Sequence, residues 1–443
     1  MKNLIKIEEL TSESILADEV FKALLNIKNV AQQAQCEVKL TDKAYELGGK
    51  QLQNKFLKLL KAYKQQAKEQ NDNNQTKVIF PVIEDGIDKS KWHEFDKDGK
   101  PTAVIDDFLV EHILSNYHIF VIAKVPYIYE GGVYKTDEKE TMLKSIIRRY
   151  IYRKLIKADL VERIYRLIIS THSIQRSYDD LNNFPKHWIN FRNGFFDVKE
   201  WKMYPHSPEY LSINQMPHEF DPDVEPQGEV TQKFVEYTIP DEADRQMMWE
   251  FYGYCMTVDC SMQKFLIFKG QGGTGKSKLI HIVEEMVGSE NRSSISMQQL
   301  NERFYPALLV GKTLNACADI PSRAMEAVDG IKKATGEDTL IAEKKGKDAI
   351  PFRSYAKLVF SANEIPINIE EKSEALYRRM MIIKVERKPE VIDRNLQEKL
   401  DAEIDYSIMT ACKALREMYL RGGFIESSNS KTNVKEIQME ADT

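Results

Sequence analysis

The spacing of apolar residues divides the chain into a helical first part and a mixed second part. In Gln51–Lys68 apolar residues recur three or four positions apart, which predicts a helix with one buried face; they are Leu52, Phe56, Leu59, Leu60 and Tyr63. A lysine stripe follows the same spacing, at Lys55, Lys58, Lys61, Lys64 and Lys68. It is typical of a solvated helix face, and a phosphate-binding face is the alternative. The polar run Gln70–Gln75 predicts a linker.

The middle of the chain alternates short strand patterns with helical ones. Strands are expected at Val78–Ile83, Ile119–Ile122 and Tyr127–Tyr134, helices at Glu138–Lys157 and Asp159–Ser170, and a hairpin with an Asn-Gly turn at Ile189–Val198. Arg148, Arg149, Arg153 and Lys154 make the helical pair basic. Two further helices are expected in Gln232–Val258, where the aromatic residues predict a packed core, with a base-stacking platform as the alternative.

Composition narrows the class of protein. The chain has 443 residues, a net charge of −5 and five scattered cysteines. These values are typical of a soluble protein with several domains, and the cysteines are expected to be reduced cytosolic thiols. The absence of a signal peptide or a long apolar run predicts a cytoplasmic location without membrane insertion. Because the net charge is slightly acidic, any surface that binds nucleic acid must be a local one.

A glycine-rich loop stands between an apolar strand and a helix. Phe265–Lys269 predicts the strand, and Gly270-Gln271-Gly272-Gly273-Thr274-Gly275-Lys276-Ser277 follows it directly. Glycines allow backbone N–H groups to surround phosphate oxygens at a helix N-terminus, Lys276 can reach the β- and γ-phosphates, and Ser277 can ligate Mg²⁺. The loop therefore predicts a nucleotide site for ATP and Mg²⁺; its residues are Gly270, Gly272, Gly273, Thr274, Gly275, Lys276 and Ser277.

Three later segments carry polar residues that such a site needs. The strand before Asp319 ends in an acid that can hold Mg²⁺ or its waters, and the next strand ends in Asn363, which can orient water or sense the γ-phosphate. Arg378 and Arg379 precede an apolar strand, and an arginine there can stabilise phosphoryl charge on a neighbouring subunit's ATP. Between them, Ile341–Asp348 has the pattern of a hairpin with lysines at its tip.

The order of these motifs resembles the superfamily 3 helicases, most closely the helicase part of phage and plasmid primase-helicases, the poxvirus primase-helicase group. The resemblance covers about residues 100–390. It is carried by GQGGTGKS at 270–277, ACADIP at 316–321, KKATGED at 332–338, AEKKGKD at 342–348, LVFSANEIP at 358–366 and YRRMMII at 377–383. Asn190–Pro208 is similar to the domain that precedes the motor in that group.

The resemblance implies an α/β fold with an AAA+-type ATPase domain that forms a ring, usually a hexamer, and translocates 3′-to-5′ on single-stranded DNA. It implies a replication initiator of a phage, plasmid or other mobile element, with origin DNA and replication proteins as partners. Asp319 matches the strand-end acid, Asn363 the polar sensor, and Arg378 or Arg379 the arginine finger, with a slight preference for Arg379. Lys344, Lys345 and Lys347 match the hairpin that contacts DNA in the pore.

Some features depart from the family pattern. Asp319 stands between Ala318 and Ile320, so the usual second acid is missing, and Glu337 or Asp338 is the candidate to assist. No paired-acid primase signature appears upstream. Two alternatives therefore stay open: a ring ATPase that remodels proteins, and a DNA-binding initiator with weak motor activity.

Five segments are expected along the chain. They are a helical segment 1–75, a mixed α+β domain 76–230, a helical collar 231–262, the ATPase core 263–390, and C-terminal helices with a polar tail 391–443. Relatives commonly continue from such a tail into a winged helix.

Overall fold

The computed structural model describes residues 7–27, 30–74, 88–318, 320, 328–336, 338–343, 349–365 and 374–442, and for 30–32, 66–74 and 441–442 it describes the backbone alone. It divides the chain into two compact units, Met1–Gly86 and Ile87–Thr443. The finer division into five segments stays a prediction. Among the described helices, none combines the length and the apolarity that crossing a membrane requires.

Unit 1 is helical, as its apolar spacing predicts. Helix α1 spans Asp18–Leu25, and α2 spans Val30–Asn74 with a kink at Gly48 and Gly49. Phe21 stacks on Phe56 and Tyr63, with ring centroids 5.2 and 4.8 Å apart, so α1 packs on the apolar face of α2. The expected linker from residue 70 is wrong up to Asn74, because α2 continues to that residue. The strand predicted at 78–83 lies outside the described residues.

Unit 2 begins with small antiparallel sheets and the helices that pack on them. Its first strands and helices are β1 His93–Phe95, β2 Pro101–Val104, α3 Asp106–Asn116, β3 Ile119–Ile122, β4 Val125–Glu130, β5 Val133–Thr136, α4 Thr141–Arg149, α5 Ala158–Ser170, β6 Trp188–Phe191, β7 Gly194–Asp197 and β8 Lys202–Tyr204. The Asn-Gly hairpin is confirmed as β6–β7. Helix α4 ends eight residues before the expected Lys157, and a 3₁₀ turn, Arg153–Leu155, follows it.

The rest of unit 2 is built on a parallel sheet. Its elements are α6 Glu229–Thr238, α7 Glu242–Cys255, β9 Phe265–Lys269, α8 Lys276–Val287, β10 Arg292–Ser293, β11 Leu314–Cys317, α9 Asp329–Thr335, β12 Thr339–Ala342, β13 Ile350–Arg353, β14 Lys357–Ala362, α10 Glu374–Tyr377, β15 Met380–Lys384, α11 Leu396–Ala402, α12 Ile404–Arg421 and α13 Ser428–Asp442. Five strands pair in the order β10-β11-β14-β9-β15, and every pairing is parallel. The expected α/β class is thus confirmed, with a helical N-terminal region.

Parallel strands place their carboxyl ends at one edge of the sheet. Strands β9 and β14 are buried almost throughout and mainly apolar, with Lys357 and Ser361 as the polar exceptions in β14, because helices cover both faces of such a sheet. On one side α7, α8 and α12 form the core, where Trp249, Phe251, Tyr252 and Tyr254 are buried. The core interpretation of these four aromatics is therefore confirmed, whereas Tyr237 is 42% exposed.

The segment Ser427–Lys431, expected as a polar tail before a short helical piece, already belongs to helix α13 from Ser428 onward, and this helix packs along the edge strand β15. Ser430 Oγ accepts a hydrogen bond from Ile382 N–H at 3.0 Å, and Asn433 Nδ2 donates to Ile382 O at 3.2 Å. These side chains satisfy backbone groups that an edge strand otherwise leaves open. Because the partners are tertiary, the polar composition of the segment did not reveal its packing.

A buried polar network joins the β6–β8 sheet to the parallel sheet. Asn190 Nδ2 donates to Ser212 Oγ and Asn214 O at 3.2 and 2.9 Å. Asn214 Nδ2 in turn donates to Asn291 Oδ1, and Tyr355 O–H donates to Asn214 Oδ1. Buried hydrogen bonds of this kind have strict geometry, so the network holds the two sheets of unit 2 in one orientation.

Candidate functional site

The glycine loop lies at the carboxyl edge of the parallel sheet, between β9 and α8. Gly270 N–H donates to Ala362 O at 3.0 Å, which fixes the start of the loop against β14. A Cβ on Gly270 would lie 2.0 Å from Val385 O, so only glycine fits there. Gly275 adopts φ 99° directly before α8, a left-handed conformation that favours glycine.

The loop has the shape and donors that phosphate oxygens need. A Cβ on Gly272 or Gly273 would meet no atom within 4 Å, so this part of the loop borders open space. Within the described part of the chain, the N–H groups of residues 272–275 donate to no other group. Backbone donors at a helix N-terminus bind anions through direct hydrogen bonds and the helix dipole. The residues present therefore fit a bound polyphosphate.

Lys276 is the first residue of α8, and its side chain folds back over the loop. It is only 5% exposed, and its Nζ donates to Gly270 O at 2.5 Å and to Gln271 O at 2.8 Å. Its Nζ also lies 3.2 Å from Oδ1 of Asn363. The structure thus brings together two residues that the sequence singled out 87 positions apart. Ser277, the predicted Mg²⁺ ligand, is exposed on the first turn of the same helix.

The strand-end positions converge on this edge as parallel pairing requires. Asn363 follows β14, which pairs with β9 on one side and β11 on the other. Asp319 lies outside the described residues, but Ile320 N–H donates to Ser361 O at 2.9 Å, two residues before Asn363. The assignment of Asp319 to Mg²⁺ stays a prediction.

The two arginines lie at the opposite, amino edge, directly before β15. Phe265 N–H donates to Arg379 O at 2.9 Å, so this pair flanks the start of β9 and not its end. The strands are five residues long, which separates the arginines from the glycine loop by about 16 Å. An arginine side chain does not span that distance, so neither arginine can reach a phosphate held by its own loop.

Arg378 and Arg379 differ in their surroundings. Arg379 is 7% exposed, and its guanidinium donates to Ala375 O at 2.7 Å and to Gln263 Oε1 at 3.2 Å. Burial, together with the neighbouring Arg378, lowers the pKa of Arg379. Arg378 is exposed and borders a cavity of about 570 Å³ between β15 and α13, with Lys264 and Lys431. The slight preference for Arg379 is therefore not supported by exposure, which favours Arg378.

The hairpin predicted around Ile341–Asp348 has its two strands in the structure. β12 and β13 pair antiparallel from Thr339 with Arg353 to Ala342 with Ile350. The lysines at its tip, Lys344, Lys345 and Lys347, lie outside the described residues. Their assignment as DNA contacts stays a prediction.

The structure places two of the aromatic residues of Gln232–Val258, Phe234 and Tyr237, as a wall beside the loop, a location that the sequence did not predict. A Cβ on Gly275 would lie 3.3 Å from the Phe234 ring, so α6 packs against the loop. One turn on, Tyr237 O–H donates to Lys388 O at 2.7 Å, and the Arg387 guanidinium lies 5.9 Å from the Tyr237 ring centroid. Only the fold brings α6 and residues 387–388 together, so no local motif could have revealed this wall.

Comparisons with known proteins find two family models and several viral relatives that this chain resembles. Residues 59–250 match the family "D5 N terminal like", and residues 268–379 match DUF5906, a family of unknown function. The chain is 28% identical over 220 residues to a candidate helicase of Acanthamoeba polyphaga mimivirus, a match that covers 46% of this chain and 22% of the relative. It is 26% identical over 292 residues to a candidate helicase of Invertebrate iridescent virus 6, covering 56% and 28%.

A phage relative is also similar. The DNA primase-polymerase of Nitratiruptor phage NrS-1 is 26% identical over 109 residues, covering 24% of this chain and 15% of that protein. A solved structure of the C-terminal region of NrS-1 aligns with a TM-score of 0.48 at 15% identity, covering 74% of each chain. The matches thus span less than a third of the length of these curated relatives. The resemblance to phage and viral primase-helicases is confirmed.

Proposed function

We propose that this chain is the motor part of a superfamily 3 DNA helicase, which hydrolyses ATP during replication of a phage, virus or other mobile element. The observation that carries the proposal is the contact of Lys276 with Asn363, which lies beside the glycine loop where the loop borders open space. The confirmed resemblance supports the same conclusion from sequence.

ATP would bind with its phosphates on the loop. Lys276 would exchange its bonds to the carbonyls of Gly270 and Gln271 for bonds to the β- and γ-phosphates, and this exchange needs no movement of α8. Ser277 and Asp319 would hold Mg²⁺, which supplies charge stabilisation on the phosphates when bound. Asn363 would orient water or sense the γ-phosphate from its place beside Lys276.

The sheet order supports an AAA+-type domain that works as a ring. The strand that carries the loop, β9, lies between β14 and β15, and the exposed Arg378 lies at the far edge. An arginine finger at that edge can serve only the nucleotide of a neighbouring subunit. We therefore assign the finger to Arg378 and expect a homo-oligomer, by resemblance a hexamer.

DNA would contact the motor at the tip of the β12–β13 hairpin. By resemblance its tip lysines, Lys344, Lys345 and Lys347, line the pore and contact single-stranded DNA during 3′-to-5′ translocation. A flexible ammonium suits a phosphate contact that is made and broken repeatedly. A protein-remodelling ATPase would not need these lysines.

The test is strand displacement on partial duplexes with a 3′ or a 5′ single-stranded tail. We expect DNA-stimulated ATP turnover and unwinding of the 3′-tailed duplex alone. Lys345→Ala with Lys347→Ala should stop unwinding and DNA stimulation, whereas basal turnover persists because the glycine loop is unchanged.

Two results would contradict the proposal. Turnover that single-stranded DNA does not stimulate would indicate a protein-remodelling ATPase. Stimulated turnover without displacement of either duplex would indicate an initiator with weak motor activity.

A further inference from the structure

A basic and aromatic surface lies in the first part of unit 2, outside the nucleotide site. The stretch RRYIYRKLIK, Arg148–Lys157, has five basic residues and no acidic one among ten. In the structure α4 ends at Arg149, and the following turn exposes Arg153 and Lys154. We call the surface formed by these and their neighbours the Tyr152 surface; its residues are Lys89, Phe95, Arg149, Tyr152, Arg153 and Lys154.

The Tyr152 surface is held in place by a buried aromatic frame. Trp92 is 1% exposed, stacks on His112 with ring centroids 4.0 Å apart, and donates through Nε1 to Tyr150 O at 2.8 Å. Lys89 Nζ lies 3.4 Å from Ile151 O. These contacts fix the backbone on both sides of residue 151, so the Tyr152 ring has a defined position without any ligand.

Rings and cations meet at Tyr152. The Phe95 ring lies edge-on to Tyr152 at 6.2 Å between centroids, and Phe95 is 40% exposed. The Lys89 ammonium lies 5.4 Å from the Tyr152 centroid. Among the described residues, no carboxylate lies within ion-pair distance of Arg153 or Lys154. Two exposed cations, Arg153 and Lys154, thus follow Tyr152 directly in the chain, and the exposed Phe95 ring contacts Tyr152.

A buried histidine beside the Tyr152 ring has an unsatisfied nitrogen. His93 is 3% exposed, and its ring meets the Tyr152 ring edge-on at 4.7 Å. Its Nδ1 lies 2.8 Å from Lys89 O; because a carbonyl only accepts, Nδ1 carries the proton. Nε2 is buried and has no hydrogen-bond partner in the described part of the chain. An acceptor is thus left unsatisfied next to the half-buried Tyr152 ring, which is uncommon in a site that only stabilises the fold.

We propose that the Tyr152 surface binds single-stranded nucleic acid. Each nucleotide brings one phosphate and one base, and the surface offers two exposed cations, Arg153 and Lys154, together with the exposed face of Phe95. Arg153 and Lys154 bind phosphates, and Phe95 stacks on an unpaired base. An acidic protein segment would use the cations but would have no need of the exposed ring. The contact requires no ATP, so it stands apart from the motor proposed above.

The experiment measures fluorescence anisotropy of a labelled oligothymidylate of about 20 nucleotides with the full chain, without nucleotide, from about 50 to 200 mM salt. Arg153→Glu with Lys154→Glu should weaken binding about tenfold or more. It should also reduce the slope of log affinity against log salt concentration by about one, which corresponds to about one released counterion. Phe95→Ala should weaken binding about fivefold and leave the salt dependence unchanged, because stacking releases no counterions.

The control is Lys186→Glu with Lys202→Glu, two exposed lysines whose change shifts the net charge equally. This variant should bind almost as the unaltered chain does. Circular dichroism and thermal unfolding of every variant must match the unaltered chain. If the Phe95 variant unfolds, the charge-reversal pair still decides the outcome, since both side chains are exposed.

Two outcomes would overturn the inference. Equal affinity and salt dependence for the Arg153/Lys154 variant and its control would show that the Tyr152 surface does not bind nucleic acid. Equal affinity for duplex and single strand, unaffected by Phe95→Ala, would refute recognition of unpaired bases. The Lys345→Ala/Lys347→Ala variant keeps this nucleotide-free contact even where it fails to unwind, so failure of the motor proposal is visible separately.

Discussion

The two edges of the parallel sheet each hold a buried lysine, and their surroundings differ. At the carboxyl edge Lys276 is 5% exposed and bonds to two loop carbonyls and the amide of Asn363. At the amino edge Lys357 is 2% exposed and bonds to the carbonyls of Thr257 and Tyr355. Burial and carbonyl partners are thus common to both residues.

What separates the two lysines is the space around their partners. The carbonyls that hold Lys276 belong to a loop whose glycines border open space, so a ligand can replace them. Lys357 instead lies over the Tyr254 ring, 5.1 Å from its centroid, inside the core. We conclude that a buried cation marks a candidate binding site only where its partners lie beside accessible volume.

The arginine pair repeats this contrast between neighbours. Arg379 is bonded to Ala375 and Gln263 within its own subunit, whereas Arg378 borders an open cavity. Adjacent positions on one chain thus have different surroundings, and only Arg378 is exposed for the contact with a neighbouring subunit that we propose.

The largest expected effect is at Lys276. Lys276→Ala should reduce ATP hydrolysis to background and weaken nucleotide binding, because it removes the cation that neutralises phosphate charge. Turnover is measured by phosphate release, and binding with a fluorescent ATP analogue. Lys278→Ala is the matched control; its ammonium bonds to Gln397 Oε1 at 2.6 Å, and its loss should leave turnover near normal. Equal activity of the two variants would refute the nucleotide site.

The second expected effect distinguishes the arginines. Arg378→Ala should lower turnover about a thousandfold with nucleotide binding and thermal stability unchanged, as expected for a finger that acts in trans. Arg379→Ala should instead destabilise unit 2 by about 2 kcal/mol, because Ala375 O and Gln263 Oε1 lose a charged donor.

Mixing subunits tests whether the site is shared. Arg378→Ala subunits mixed with Lys276→Ala subunits should recover part of the turnover, since some hybrid interfaces pair an intact loop with an intact arginine. Absence of recovery at every ratio, once mixed oligomers are demonstrated, would show that Arg378 does not serve a neighbouring loop.

Local motifs predicted the carboxyl edge well because its parts are encoded in short stretches. Phe265–Ser277 specifies strand, turn and helix start within a few residues, and Asn363 follows a short, mainly apolar run that is typical of a buried strand. The rule that parallel strands end at one edge then places Asn363 at the same edge as Lys276, and the pairing of β14 with β9, which the structure gives, brings the two into contact.

The amino edge and the Tyr152 surface could not be predicted in this way. The burial of Arg379 depends on Gln263 and Ala375, which no sequence pattern links to it. Helix α13 looks like a polar tail because few of its residues are apolar: Val434 and Ile437 pack against the sheet core, and polar side chains make its other contacts with β15. The Tyr152 ring is fixed by Trp92, 60 positions earlier in the sequence, through the Tyr150 carbonyl.

The last expected effect leaves turnover aside and is a dependence of stability on pH at Lys357. Burial lowers the pKa of Lys357 from 10.5 to about 8 in the folded chain. Between pH 8 and 10.5 the unfolded chain binds more protons than the folded chain, so the free energy of unfolding rises with pH. Below about pH 8 both states hold the proton, so this group adds no pH dependence. Relative to Lys357→Met, which has no such proton, the unaltered chain should gain up to about 3 kcal/mol between pH 8 and 10.5.

Urea unfolding of both proteins at several pH values measures the difference, followed by tryptophan fluorescence. All four tryptophans, Trp92, Trp188, Trp201 and Trp249, belong to unit 2, so the signal reports the unit that contains Lys357. Groups remote from Lys357 contribute equally to both proteins and cancel in the difference, and burial raises the pKa of the neighbouring Cys255 thiol to about 12, above this range. Two stability curves that stay parallel from pH 8 to 10 would show that Lys357 keeps its proton in the core, and the contrast with Lys276 would then rest on accessible space alone.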